Sequence, residues 1–192
     1  MPLVLASASP RRAELLRNAG VSFTVEPAHI PEQPMTNEAP LEYAKRLARD
    51  KARAIFERHP DNVVLGADTI VVVDEHLLEK PRDEQDAARM LRLLSGRAHE
   101  VITGVCVVAP AFERTDAEVT EVRFSALSET EIAGYIATGE PMDKAGAYAI
   151  QGIASRWVEG IDGCYFNVVG LPVPRVSRMM RGVEAATGIL IL

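Results

Sequence analysis

Residues Pro40 to Arg58 carry the strongest helical periodicity in the chain: Leu41, Ala44, Leu47, Ala48, Ala52 and Ile55 recur at three- and four-residue spacing. A helix with so continuous an apolar stripe has to lie on another apolar layer. The next segment supplies one, because Val63 to Val73 holds two strand-like runs around Gly66-Ala67-Asp68-Thr69. Leu3 to Ala6, Val21 to Val25, Val101 to Val108 and Val119 to Phe124 also read as strands, the last two joined by a hairpin-like loop at Pro110 to Asp116. Ser9-Pro10 starts a helix that Gly20 ends, Asp83 to Leu94 is a second amphipathic helix, Ser128 opens another through a capping-box pattern, and Val173 to Ala186 is the last. Residues 26–39 and Gly139 to Gly152 read as loops, and Trp157 to Val169 as a hairpin with Asp162-Gly163 at its turn. Strands mixed with helices, including adjacent strand pairs, predict a mixed α/β fold with a twisted central sheet and flanking helices. There is no internal repeat or clear linker, so residues 1–192 are taken as one domain.

Composition narrows the function. No apolar run approaches the roughly 20 residues of a membrane span. The start Met1-Pro2-Leu3-Val4-Leu5 lacks a basic leader and reads as a buried first strand, which predicts a cytoplasmic protein without a membrane partner. The net charge of −6 disfavours nucleic-acid binding, although a small polyanion needs only a local cluster of cations. Cys106 and Cys164 sit in apolar runs and read as inert core thiols. His29, His59, His76 and His99 are scattered singly, without zinc-site spacing, so a metal here would be a hard ion held by carboxylates.

Three segments carry candidate chemistry. In Ser7-Ala8-Ser9-Pro10-Arg11-Arg12 a strand runs into a helix start, where unpaired N–H groups and the helix dipole favour an anion. Two arginines are unfavourable in such a first turn unless an anion sits there, though two solvated side chains would give the same pattern. Asp68 interrupts an apolar stretch, where a carboxylate is costly unless it is paired, holds a metal or activates water; an Asp in an edge turn is the plainer reading. Lys51 falls on or beside the apolar stripe of its helix, a poor place for an idle charge. Gly139 to Gly152 combines small residues with Glu140, Asp143 and Lys144, which suits either close approach of a ligand or a structural crossover.

Taken in order, Ser-x-Ser-Pro-Arg-Arg at Ser7, Gly-Ala-Asp-Thr at Gly66, Glu-Lys-Pro at Glu79 and Gly-Glu-Pro-x-Asp-Lys-Ala-Gly-Ala-Tyr-x-Ile-Gln-Gly at Gly139 resemble the Maf family of nucleoside triphosphate pyrophosphatases, a family also linked to septum-formation inhibition. The resemblance runs from Leu3 to about Pro172. It implies a fold like that of inosine triphosphate pyrophosphatases with two lobes around a cleft, a Mg²⁺ or Mn²⁺ cofactor, a homodimer, and hydrolysis to a nucleoside monophosphate and pyrophosphate. It implies Asp68 as proton acceptor and Arg11, Thr69 and Gln151 as specificity positions, and we expect the metal to be held by Asp68 and Glu32. Glu32, Lys51, Lys80, Asp143 and Lys144 match other polar cleft positions, and Ser7, Ser9 and Arg12 of the helix start, with Lys51, Lys80, Asp143 and Lys144, are expected to bind substrate. The last motif resembles the branch acting on dTTP and UTP, with CTP or modified pyrimidine nucleotides as further substrates, and Gln151 could read a pyrimidine by accepting from N3–H and donating to a carbonyl. Ala149 stands where that branch usually has Gly, and Ile153-Ala154-Ser155 replaces a more glycine-rich stretch. The alternatives are a non-catalytic nucleotide-binding regulator of cell division and a house-cleaning pyrophosphatase for modified purine nucleotides.

Overall fold

The computed structural model describes residues 3–188, 190 and 191; Met1 and Pro2, assigned from sequence to the first strand, lie outside them. The described elements are, in chain order, β1 (Leu3–Leu5), α1 (Pro10–Asn18), β2 (Phe23–Val25), α2 (Pro40–Phe56), β3 (Val63–Val73), β4 (His76–Leu78), α3 (Glu84–Leu94), β5 (Ala98–Ala109), β6 (Phe112–Phe124), α4 (Glu129–Ile136), β7 (Val158–Asp162), α5 (Tyr165–Val169) and α6 (Val173–Thr187). The strands form a mixed sheet of order β2-β1-β3-β5-β6-β7, with β4 paired to β3. The expected mixed α/β class is what the chain adopts. Its residues fall into two compact units, Met1–Asp68 with Thr103–Glu118 and Gly170–Leu192, and Thr69–Ile102 with Val119–Val169.

In the first unit, β1 pairs in parallel with both β2 and β3, in register Leu3↔Phe23 and Leu3↔Val63. Parallel neighbours need long crossovers, and α1 and α2 provide them. Ser9 caps α1 and Pro10 takes its first turn as expected, while Gly20 leaves the helix with φ +75°. Val4, Ala6, Val64, Cys106 and Val108 pack with Ala48, Ala52 and Ile55 of α2. Cys106 is thus a core thiol, pushed up to about 11 by burial; Cys164, expected to be similar, is only half-buried.

The stretch read as two runs around Gly66 is one continuous strand, β3. Gly66 serves there as a contact point and not as a turn. A Cβ on it would stand 2.1 Å from the Ala48 carbonyl oxygen and 2.8 Å from the Ala52 nitrogen. Gly104 on β5 meets the same helix, with a Cβ falling 2.1 Å from the Ala44 carbonyl oxygen. Both glycines let the backbone of α2 rest directly on the strands. Gly66→Ala therefore pushes the helix off β3 and is expected to cost about 1–3 kcal/mol. In a thermal melt this reads as a drop of about 2–4 °C per kcal/mol, and an unchanged midpoint would show that the contact is not tight.

In the second unit, β4 folds back antiparallel on β3 with Val73 opposite His76. Asp83 caps α3 through its carboxylate, which accepts from the Asp86 N–H at 2.7 Å, and Ser128 and Glu131 form the expected capping box on α4. His99, Phe124, Tyr148, Trp157 and Tyr135 form an edge-to-face aromatic layer with centroid separations of 5.0, 5.4, 4.7 and 5.1 Å between His99–Phe124, His99–Tyr148, Phe124–Tyr148 and Tyr135–Trp157. Burial pulls His99 down to about 4, so near neutral pH it is an uncharged member of this layer, bonded through Nε2 to the Tyr148 hydroxyl at 2.8 Å.

Three loop expectations are corrected. The connection between β5 and β6 is the two-residue turn Pro110-Ala111, and Phe112 to Asp116 belong to β6; Ala111 accepts φ +59° to make it so tight. Gly139 to Gly152 is not wholly irregular, since Glu140–Asp143 and Ala145–Ala147 form short 3-10 turns. Trp157 to Val169 is not a hairpin. β7 pairs antiparallel with β6, Val122 opposite Ile161, and the following residues wind into α5. The cause is Asn167, fully buried, whose amide donates to the Val101 carbonyl and to Thr120 Oγ1, both at 2.9 Å. Giving that buried amide group two acceptors outweighs the local turn signal of Asp162-Gly163.

Candidate functional site

On β3, Val64, Gly66 and Asp68 share one face by the two-residue period, and that face meets α2. On α2, Lys51 lies in the stripe with Ala44, Ala48, Ala52 and Ile55. The two patterns bring the one charged residue of each together. The Lys51 ammonium donates to Asp68 Oδ1 at 2.6 Å and pairs with Glu32 Oε1 at 2.7 Å. The side chains of Lys51 and Asp68 are 9% and 11% exposed, whereas that of Glu32 is 46% exposed. Glu32 thus comes from the loop before α2 to the solvent side of a buried pair.

The same unit holds the first segment. Ser9 caps α1, and Ser7 Oγ accepts from the Ser9 N–H at 3.3 Å and from Arg12 Nη1 at 2.9 Å. Arg12 Nε donates to the Gly170 carbonyl at 2.8 Å. The reading of two solvated arginines therefore fails for Arg12, which is buried, while Arg11 is half-buried. Burial draws the Arg12 guanidinium below its ordinary value; Asp68 and Glu32 oppose that pull, and Arg11 adds to it. Arg11, Arg12, Glu32, Lys51 and Asp68 thus interact through charge, with Ser7 and Ser9 hydrogen-bonded to Arg12.

Thr69 follows Asp68 on β3 and begins the second unit, which also carries Lys80, Asp143, Lys144 and Gln151. Lys80 and Gln151 are exposed. Lys144 is held within its own loop, donating to the Glu140 carbonyl at 2.6 Å and to Asp143 at 2.5 Å. The Glu79 carbonyl accepts from the Gly146 N–H at 3.1 Å, tying the segment before Lys80 to that loop. Sequence reasoning missed the Gly170 carbonyl, which carries no side-chain signal, and the pairing of Glu140 with Tyr135.

Among the described residues no three His, Cys, Asp or Glu side chains gather as a metal cluster, and no helix is long and apolar enough to cross a membrane. Asp68 and Glu32 nevertheless already flank a cation, the Lys51 ammonium. Two hard carboxylates, with the remaining positions left to phosphate oxygens and water, are a donor set that fits Mg²⁺ or Mn²⁺.

Comparison with known proteins adds an independent line. Residues 2–183 match the family model described as Maf-like protein. A protein of Koribacter versatilis named dTTP/UTP pyrophosphatase is 64% identical over 181 residues, 94% of each chain. Proteins of the same name from Geobacter sulfurreducens and Syntrophomonas wolfei are 55% and 51% identical, covering 95% and 92% of this chain and 97% and 94% of their own.

Proposed function

The chain belongs to the Maf-like family, and on that premise we propose that it is a nucleoside triphosphate pyrophosphatase acting on dTTP and UTP, with the nucleoside monophosphate and pyrophosphate as products. The observation that carries the reading is the convergence of Asp68 and Glu32 on the buried Lys51 ammonium beside the start of α1. This is a carboxylate base, a hard-cation donor pair and a phosphate-seeking helix end in one group.

In this reading the triphosphate lies at the N-terminus of α1, where helix N–H groups and Arg11 meet phosphate oxygens. Arg12 adds positive charge, and its bonds to Ser7 and Gly170 keep the loop in shape. Asp68 accepts the proton of the attacking water as the α–β anhydride breaks and pyrophosphate leaves. Lys51 acts on Asp68 and Glu32 by holding both carboxylates in place, more than as a phosphate ligand of its own. Asp68 and Glu32 would also hold a divalent cation, which when bound neutralises phosphate charge and makes water more acidic. Thr69, Lys80, Asp143, Lys144 and Gln151 are further substrate positions in this reading, Gln151 by reading the N3–H and a carbonyl of a pyrimidine.

The test is turnover of dTTP, UTP, CTP, ATP and modified nucleotides with Mg²⁺ or Mn²⁺, measuring both products. Monophosphate and pyrophosphate in equal amounts, fastest from dTTP and UTP, are expected. Release of orthophosphate, or binding without turnover, overturns the proposal.

A further inference from the structure

Gln151 is exposed and lies outside any helix or strand, so its own backbone does little to fix the direction of its amide. Its neighbours are held instead. Glu140 Oε1 accepts from the Ile153 N–H at 3.1 Å and Oε2 from the same group at 3.3 Å. Glu140 Oε1 also accepts from the Tyr135 hydroxyl at 2.9 Å, and that hydroxyl in turn accepts from the Ala149 N–H at 3.3 Å. The Gly152 N–H closes the turn on the Ala149 carbonyl at 3.1 Å. Both ends of the segment carrying Gln151 are therefore tied to one bonded pair, Tyr135 and Glu140. Gly152 is part of the fit, because a Cβ there would stand 2.0 Å from Glu140 Oε1. Tyr135 is itself fixed, buried in α4 and edge-on to Trp157 at 5.1 Å. Burial and the adjacent Glu140 raise its phenol well above the ordinary value, which keeps it a donor.

We infer that Glu140 is a positioning residue for base selection: with Tyr135 it sets the Ala149–Ile153 turn so that the Gln151 amide meets a pyrimidine edge, an inference that rests on the reading of Gln151 above. Glu140 touches neither base nor phosphate in this role. It acts by removing the freedom the turn would otherwise have to give up on binding.

The experiment compares kcat/KM for UTP and for ATP, as a purine triphosphate, in Gln151→Ala, Glu140→Ala, Glu140→Gln, Tyr135→Phe and the Glu140→Ala/Gln151→Ala double variant. Amide hydrogen exchange at Ile153 is followed in parallel. Gln151→Ala and Glu140→Ala are each expected to lower the UTP-to-ATP ratio about tenfold, the scale of one well-placed hydrogen bond, chiefly through KM for UTP. Tyr135→Phe lowers it less. Glu140→Gln keeps it, since an amide oxygen still accepts from Tyr135 and Ile153. The double variant falls no further than Gln151→Ala alone, as expected for two residues acting through one contact. Ile153 exchange quickens in Glu140→Ala and not in Glu140→Gln. A ratio that collapses in Gln151→Ala but holds in Glu140→Ala overturns the inference and leaves the base reading standing. A ratio unmoved by Gln151→Ala overturns both. Additive losses in the double variant, or unchanged Ile153 exchange, overturn the positioning role.

Discussion

Asp68→Asn lowers pyrophosphate release by about 10²–10⁴-fold, the usual contribution of a positioned proton acceptor, while the protein stays folded. The substitution keeps the size of a side chain that is nearly enclosed, so no cavity opens. The amide oxygen still accepts from the Lys51 ammonium, and Lys51 keeps its second partner, Glu32, at 2.7 Å. What is lost is the ability to take a proton from water and one of the two carboxylates that would hold a divalent cation. The check is pyrophosphate release from dTTP and UTP, read together with a melting curve. A folded variant with full activity would remove Asp68 from the mechanism and with it the assignment of the α1–α2–β3 group as the active site.

Lys51 and Asp68 are legible from residue order alone because each violates a simple period. One lysine stands in a 3.6-residue apolar stripe and one aspartate in a valine-rich stretch, and burial without a partner is too costly for either. Mutual pairing is the direct solution. The role of Gly66 is not legible in the same way. In sequence it resembles a break, and only the seating of α2 on β3 explains it as a place where a side chain cannot be admitted. Arg12 reads in sequence as a cation at a helix start, but its tether to Gly170 spans 158 residues, and a backbone carbonyl leaves no trace in residue type. The failed hairpin has the same origin. Asp162-Gly163 is a strong local turn signal, and it loses to Asn167 of α5, whose partners Val101 and Thr120 lie on β5 and β6. Local chemistry is readable, and chemistry completed by a distant backbone group is not.

Lys51→Met is expected to destabilise the fold by about 3–5 kcal/mol, the range for leaving one member of a buried ion pair alone. Methionine is of similar length and apolar, so the packing of α2 against the strands changes little and the effect isolates the missing charge. Nearly all of the loss falls on Asp68. Its carboxylate is about as buried as the ammonium it faces, whereas Glu32 is half in water and is screened there. For a chain of this size the loss reads as a fall in melting midpoint of about 2–4 °C per kcal/mol, or roughly 6–20 °C. The origin of the loss is checked by combining Lys51→Met with Asp68→Asn. If the harm is an uncompensated carboxylate, neutralising that carboxylate returns about 1–3 kcal/mol, and the double variant is more stable than Lys51→Met alone. If it lies in packing, the two losses add. A single Lys51→Met variant that melts within a degree or two of the parent would show that Asp68 does not depend on this ammonium. The group would then have to be held by other contacts, and the orienting role given to Lys51 would fall with it.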